Sequence, residues 1–138
     1  MKPYAYLIAP FVGWIVAQGI KFGLSLHKDG VNLTDAIESG GMPSSHTAFM
    51  VALSTAVGLG EGFESVAFAV CAAVTAIIIY DSMGVRRTTG DQTVAIEKIA
   101  KLQKTKTTIH GSNGHTPQQV IVGFAIGVIV GFGINYLL

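Results

Sequence analysis

The feature that most constrains this chain is a series of apolar segments, several of them long enough to cross a lipid bilayer. The first runs from Tyr4 to Leu26, the third from Ser65 to Met83 and the last from Gln118 to Leu138, and a membrane helix needs about 20 residues. The second, Thr47 to Gly60, is shorter. At ~1.5 Å per residue it reaches only roughly 21 Å, so we expect its start to lie below the membrane surface in a polar pocket.

Composition agrees with a lipid environment. Half of the 138 residues are hydrophobic and only 12% are charged, whereas a soluble domain carries about 25% charged residues. The first apolar segment is longer than a signal-peptide core and is followed by no clear cleavage site, so we interpret it as a retained membrane helix. We predict a single domain over residues 1–138, an all-α integral membrane bundle of about four transmembrane helices plus a short interfacial helix.

The charge balance and the cysteine count exclude several classes of function. The net charge of +1 gives no basic field that would recruit nucleic acid. Cys71 is the only cysteine, so one chain can form neither a disulfide nor a cysteine metal site. A divalent-metal enzyme needs clustered carboxylates, and only Asp81 and Asp91 are available near the candidate site. We therefore expect no metal and no other cofactor.

Two polar stretches separate the apolar segments, and topology places both on one side of the membrane. They run from His27 to Gly41 and from Gly84 to Thr116, after the first and third predicted spans. In the second stretch, Thr93–Leu102 has the pattern of a short amphipathic helix at the interface, and Thr105–Asn113 is typical of a flexible loop. Polar groups that are distant in sequence therefore converge on one face.

The distribution of basic residues orients that face. Its two polar stretches contain most of the lysines and arginines, whereas the opposite side has only Lys2. By the positive-inside rule the polar face is cytoplasmic, in what we expect to be a bacterial-type plasma membrane. A re-entrant second segment would remove this argument. The converging side chains are Lys21, His46, Asp81, Arg86, Arg87, Asp91 and His115.

Both histidines occur at predicted helix starts. His46 directly follows a Pro-Ser-Ser sequence, and His115 stands two residues before Pro117. A helix N-terminus offers free backbone N–H groups and a positive dipole, which bind anions. Imidazole can donate a proton or attack phosphorus, and cations stabilise phosphoryl oxygens. The pattern favours phosphoryl transfer, although each histidine alone is also explained as part of a helix start.

Three cations allow two interpretations each. Lys21 lies within an apolar segment, where it either extends its ammonium to the interface or faces a functional site. Adjacent Arg86 and Arg87 either anchor a helix end or bind phosphate, for which the planar guanidinium is well suited.

Three segments resemble a known family, in its motif order. The sequence GGMPSSH at 40–46 resembles the Pro-Ser-Gly-His motif of the type-2 phosphatidic acid phosphatase superfamily, which includes the vanadium haloperoxidases. The sequence YDSMGVRR at 80–87, with Gly90 and Gln92, and GHTP at 114–117 are similar to a small divergent branch of it. The likeness covers nearly the whole chain.

The resemblance implies a phosphatase mechanism. By this likeness, His115 is the nucleophile that forms a phosphohistidine, and His46 protonates the leaving oxygen. Ser44, Ser45 and nearby backbone amides hold the phosphate. Lys21 stands for the lysine of the first superfamily motif.

The chain departs from the superfamily pattern at several cations. Lys28 occupies the place of an arginine in the first motif and is followed by no proline, and Ile109 replaces an arginine in the third motif. We expect Arg86 and Arg87, from another loop, to supply the missing positive charge.

A further departure concerns the residue that orients the nucleophile. The superfamily has an aspartate four residues after its histidine, and Gln119 occupies that place. Glutamine can fix an imidazole tautomer but cannot stabilise imidazolium by charge. Asp81 and Asp91 are the carboxylates available for that task.

These observations favour a membrane phosphatase that cleaves a lipid phosphate or diphosphate through a phosphohistidine. The alternative is a non-catalytic binder or transporter of anionic lipids, which would release no phosphate. Four spans are fewer than the usual six of the superfamily, so a homodimer is one way to complete the core. Gly123, Gly127 and Gly131 either offer its contact surface or serve ordinary helix packing.

Overall fold

The structure is a computed structural model that describes residues 3–27, 41–105 and 114–138. These residues form five helices and no strand: α1 (Ala5–Leu26), α2 (Ser45–Glu61), α3 (Val66–Met83), α4 (Val85–Leu102) and α5 (Pro117–Leu137). Most of the polar stretch from His27 to Gly41 and most of the predicted loop Thr105–Asn113 lie outside the described residues. α1, α5 and the run Val66–Leu102 are long and apolar enough to cross a membrane. The prediction of an all-α membrane bundle is confirmed.

α2 is the central helix, because it packs on α1, α3 and α5, while α1 and α5 also pack on each other. Small residues allow this close approach. Ala48, Ala52 and Ala56 are fully buried, and a Cβ added at Gly13 of α1 would lie 2.9 Å from the Ala48 carbonyl oxygen. Because lipid tails are as apolar as the side chains, tight packing of this kind is the main force that holds membrane helices together.

The glycine stripe of α5 faces α2 rather than a second copy of the chain. Gly123, Gly127 and Gly131 are all buried. A Cβ at Gly127 would lie 2.6 Å from the Cβ of Val51, and one at Gly131 would lie 2.5 Å from the Cβ of Thr55. Of the two interpretations of this stripe, ordinary helix packing is confirmed and the dimer contact is wrong, because the close approach of α5 to α2 already uses it. A homodimer through another surface stays a prediction.

α3 and α4 form almost one continuous helix, interrupted at Gly84. The Gly84 N–H donates to the Tyr80 carbonyl (2.9 Å), and the Thr88 N–H donates to the Gly84 carbonyl (3.0 Å). Helical hydrogen bonds thus continue across the interruption, and α4 begins at Val85. The short helix predicted over Thr93–Leu102 is correct at its end but wrong at its start. The helix already begins at Val85, whereas the apolar periodicity on which the prediction was based begins only near Thr93.

An apolar groove of about 410 Å³ lies between α3 and α5, above α2. Phe68, Ile79 and Phe124 are among its walls. Two of its polar lining side chains, Ser54 and Thr75, share a hydrogen bond of 2.9 Å with each other. The groove is therefore lined mainly by hydrocarbon.

Helix directions place the candidate residues together. At one end of the bundle, the Tyr6 hydroxyl donates to the Glu61 carboxylate at 2.7 Å. At the other end, the Ser44 N–H donates to the Gln119 carbonyl (3.1 Å), and the His115 N–H donates to the Ser82 carbonyl (2.9 Å). The start of α2, the start of α5 and the end of α3 therefore meet on the same side.

Candidate functional site

His115 is held where α5 begins and α3 ends. Its backbone N–H donates to the Ser82 carbonyl at 2.9 Å, and only 3% of the residue is exposed. The preceding residue, Gly114, lies against the backbone of Arg87 so closely that any Cβ would collide with it. Glycine is thus needed for the approach of this segment to the first turn of α4.

The hydrogen bonds of Gln119 determine the tautomer of His115. Thr116 caps α5, and its backbone N–H donates to Gln119 Oε1 at 3.0 Å. A backbone N–H can only donate, so the amide atom facing it is the oxygen. The same oxygen lies 3.3 Å from His115 Nδ1. Nδ1 therefore carries the proton, and Nε2 keeps a free lone pair.

Several groups act on the pKa of His115, which precedes the last membrane helix. Burial lowers this pKa from its ordinary value of 6.5, and the hydrogen bond with Gln119 partly opposes the shift. The charges of Lys21, His46 and Arg86 lower it further. Since the same residues lie within electrostatic range of one imidazole, the structure brings four of the predicted site residues together. The net effect favours a neutral imidazole near pH 7.

Lys21 is a buried cation at the end of α1. Only 7% of the residue is exposed, and the ion pairs of the described residues include none with its ammonium. A buried charge without a partner is costly. An anion is the kind of group that would pair with this cation.

The start of α2 carries the Pro-Ser-Ser-His sequence. Ser44 is the N-cap, and its Oγ accepts hydrogen bonds from the N–H (3.4 Å) and the hydroxyl (2.9 Å) of Thr47. Ser44 and Ser45 are almost fully buried, whereas His46 is exposed on the first turn. The Ser44 oxygen thus already accepts hydrogen bonds from Thr47. Direct phosphate binding by Ser44 or Ser45 stays a prediction.

Arg86 and Asp81 form an ion pair beside the histidines. The Arg86 Nε–H donates to Asp81 Oδ2 at 2.8 Å, with both side chains a little under two-fifths exposed. This contact leaves the two terminal NH₂ groups of the guanidinium for another anion. Asp81 thus contacts Arg86 and not a histidine, so His115 has the neutral Gln119 as its described side-chain partner.

Arg87 and Asp91 stand apart from this cluster. Both are exposed on α4, and neither makes a described ion pair. Arg87 contributes its backbone, against which Gly114 packs. The prediction that both arginines come from a loop is wrong, because they belong to the first turn of a helix that continues α3.

Two residues that position His115 received no role from the sequence. Ser82 offers its backbone carbonyl, and Gly114 provides the close approach. Ser82 lies inside the motif at 80–87 and Gly114 inside the motif at 114–117. Their position within these motifs was the sequence signal that could have indicated a role at the site. Among the described residues, no group of three or more His, Cys, Asp or Glu side chains is arranged to hold a metal ion.

Comparison with known families shows which family the chain belongs to. The divergent PAP2 family matches residues 4–130, nearly the whole chain. The chain belongs to this family. The match includes all three motif segments and every helix but the last turns of α5.

A curated protein is also similar to the chain. The chain is 35% identical over 115 residues to the protein named uncharacterized membrane protein YuiD from Bacillus subtilis (strain 168). The aligned part covers 71% of this chain and 72% of the relative. No solved structure matches the chain. The protein is thus a membrane protein of the divergent PAP2 family.

Proposed function

We propose that this protein is a membrane phosphatase that hydrolyses a lipid phosphate or diphosphate through a phosphohistidine intermediate. The observation that carries the proposal is the buried residue Lys21, whose ammonium has no described ion pair, beside His115 with its free Nε2. A buried cation next to a neutral nucleophile suits a phosphate, which satisfies the cation and presents phosphorus to the nitrogen.

The first step is the transfer of the phosphoryl group to His115. Nε2 attacks phosphorus, and the bond between phosphorus and the leaving oxygen breaks. His46, exposed at the start of α2, donates a proton to that oxygen, so the lipid leaves as an alcohol or as a monophosphate. Gln119 holds the Nδ1–H of His115 throughout, which keeps Nε2 directed at phosphorus.

The second step returns the enzyme to its initial state. His46, now neutral, takes a proton from water, and the hydroxide attacks phosphorus as the bond to Nε2 breaks. Inorganic phosphate leaves. The proton that His46 took from water replaces the one that it gave to the leaving group in the first step. The oxygens of the transferred phosphoryl group are stabilised by Lys21, by the free NH₂ groups of Arg86 and by the N-termini of α2 and α5.

The alternative, a binder or transporter of anionic lipids, is favoured by one observation. The partner of His115 is neutral Gln119 in place of a carboxylate, so the positive charge that develops on the imidazole lacks a counter-charge. A site of this kind binds phosphate well and turns it over more slowly.

Phosphate release from liposomes separates the two functions. Purified protein is incubated with a panel of lipid monophosphates and diphosphates, with and without a chelator, and His115→Ala serves as the control. We expect phosphate release that is insensitive to the chelator and absent from the variant. Lipid binding without release would establish the binder, and activity restored only by magnesium would contradict the mechanism.

We also propose that the site faces the cytoplasm of a bacterial-type plasma membrane, on the basis of the lysine distribution. Thr105 lies on the polar side and Gly62 at the opposite end of the bundle. Single cysteines at these positions, in a Cys71→Ala background, are treated with an impermeant thiol reagent on intact cells. We expect labelling at position 62 only, and labelling at position 105 only would reverse the orientation.

A further inference from the structure

Gln18 of α1 lies beside the start of α2. Its neighbour two turns earlier on the same stripe of α1 is Phe11, whose ring meets Phe49 of α2 edge to face, with centroids 5.5 Å apart. α1 and α2 are antiparallel, so two turns further along α1 corresponds to about two turns before Phe49, at the segment Met42–Ser44 that leads into α2. Lys21 follows one turn after Gln18. Gln18 is therefore adjacent to the cationic cluster.

The Gln18 amide has an unsatisfied oxygen. Oε1 is buried, and no described residue donates a hydrogen bond to it. Buried polar atoms are almost always paired, and an exception calls for an explanation. An amide oxygen can only accept, so the missing partner is a hydrogen-bond donor.

The surroundings restrict what that donor is. Lys21, Arg86 and the N–H groups at the start of α2 are all donors, so they fit the unprotonated oxygens of a phosphate. The Gln18 oxygen, as an acceptor among these donors, fits a protonated phosphate oxygen instead. A phosphomonoester has a second pKa near ~6, so its monoanion carries one P–OH group. A phosphodiester has no such proton.

We infer that Gln18 is a specificity residue whose amide oxygen accepts a hydrogen bond from the P–OH of a phosphomonoester, or of the terminal phosphate of a diphosphate, and thereby disfavours phosphodiesters. This inference rests on the proposed lipid phosphate site. A phosphodiester would leave the buried Gln18 oxygen without a hydrogen bond, and the free-energy cost of that unpaired group would favour the phosphomonoester.

The test compares two ligands that no phosphatase can hydrolyse at the lipid bond. They are dodecylphosphonic acid and its monomethyl ester, used at a mildly acidic pH at which each carries one negative charge. Their binding is measured directly on protein in nanodiscs, so the result does not depend on turnover. The variants are Gln18→Leu, which removes the acceptor, and Gln118→Leu, the same change at an exposed glutamine near the same end of the bundle.

We expect the unmodified protein to bind the acid about 10-fold or more tightly than the ester. Gln18→Leu should reduce that ratio to about 3-fold or less by weakening the acid alone, while Gln118→Leu keeps it. Gel filtration checks the fold, and Gln18→Met repeats the test if the leucine variant aggregates. An unchanged ratio in folded Gln18→Leu or Gln18→Met, or an equal change in Gln118→Leu, overturns the inference.

The outcomes separate this inference from the proposed function. Preference for the acid that is lost in Gln18→Leu, with no phosphate release from dodecyl phosphate, would remove the phosphatase and keep the specificity role. Phosphate release from dodecyl phosphate, with an unchanged ratio of acid to ester binding in Gln18→Leu, would keep the phosphatase and remove the specificity role. Failure of the unmodified protein to bind either ligand would overturn both.

Discussion

The two ends of the bundle both bring polar side chains from different helices together, yet one end leaves some of them without a partner among the described residues. At the end where α1 begins, the Tyr6 hydroxyl donates to the Glu61 carboxylate, and Gly60 leaves room for the tyrosine ring. At the opposite end, Lys21 is buried and Gln18 Oε1 is unsatisfied among the described residues. The first end pairs its tyrosine and glutamate with each other, and the second end holds a buried lysine and an unpaired amide oxygen.

The difference indicates where stability and function are separated in this chain. Groups that fold the bundle find partners within it, because an unpaired buried polar group costs free energy. Groups that serve a ligand carry that cost until the ligand arrives, which is why perturbed charges concentrate at functional sites. Changes at the two ends should therefore have opposite consequences.

The largest expected effect is that of His115→Ala. The nucleophile is required for every substrate, so phosphate release from alkyl and aryl phosphates should fall by about 10⁴-fold or more. Steady-state assays on gel-filtered protein measure this. Glu61→Gln, at the paired end, is the control and should keep its activity. Residual aryl phosphatase activity in His115→Ala would place the nucleophile elsewhere.

The next effect, that of His46→Ala, should depend on the leaving group. An alkoxide needs a proton as it leaves, so turnover of a lipid phosphate should fall by ~10²–10⁴-fold. Nitrophenolate leaves without protonation, and its release should change far less. The ratio of the two rates is the measurement. Equal losses on both substrates would contradict the role of general acid.

Lys21→Met should raise stability while it lowers activity. The change removes an unpaired buried charge and retains an unbranched apolar side chain, so we expect the free energy of unfolding to rise by roughly 1–3 kcal/mol. Loss of one cation at the phosphate should reduce kcat/KM by about 10²-fold. Thermal unfolding and steady-state kinetics test both parts. A less stable variant would show that Lys21 has a partner in the folded protein.

Gln119→Glu tests the electrostatics of the nucleophile. A carboxylate beside Nδ1 stabilises imidazolium, so it raises the pKa of His115, which burial holds below 6.5 in the original protein. Neutral His115 is the active form, and activity is lost as pH falls through its pKa. The acid limb of the rate profile should therefore move to higher pH. An unmoved limb would mean that it reports another group.

The smallest effect is expected at the paired end. Tyr6→Phe removes one hydrogen bond to an exposed carboxylate, so the free energy of unfolding should fall by about 1 kcal/mol or less. Phosphate release should not change, since Tyr6 lies at the far end of the bundle from His115. A loss of activity larger than the loss of stability would mean that the two ends are coupled.

The sequence by itself determined the helices and the local contacts. Apolar segment lengths gave the membrane bundle, and helix-start signals placed both histidines close to helix N-termini. The contact between His115 and Gln119 is also local, because residues four apart at a helix start face each other. The motifs identified the family, which the match over residues 4–130 confirms.

The tertiary structure decided which groups pair across helices. Sequence alone left Asp81 as a partner for a histidine, whereas the turn at Gly84 places it against Arg86. It left the α5 glycines available to a second copy, whereas α2 covers them. The physical reason is that such contacts depend on the relative rotation and depth of packed helices, which small residues on both surfaces set jointly and no single segment encodes.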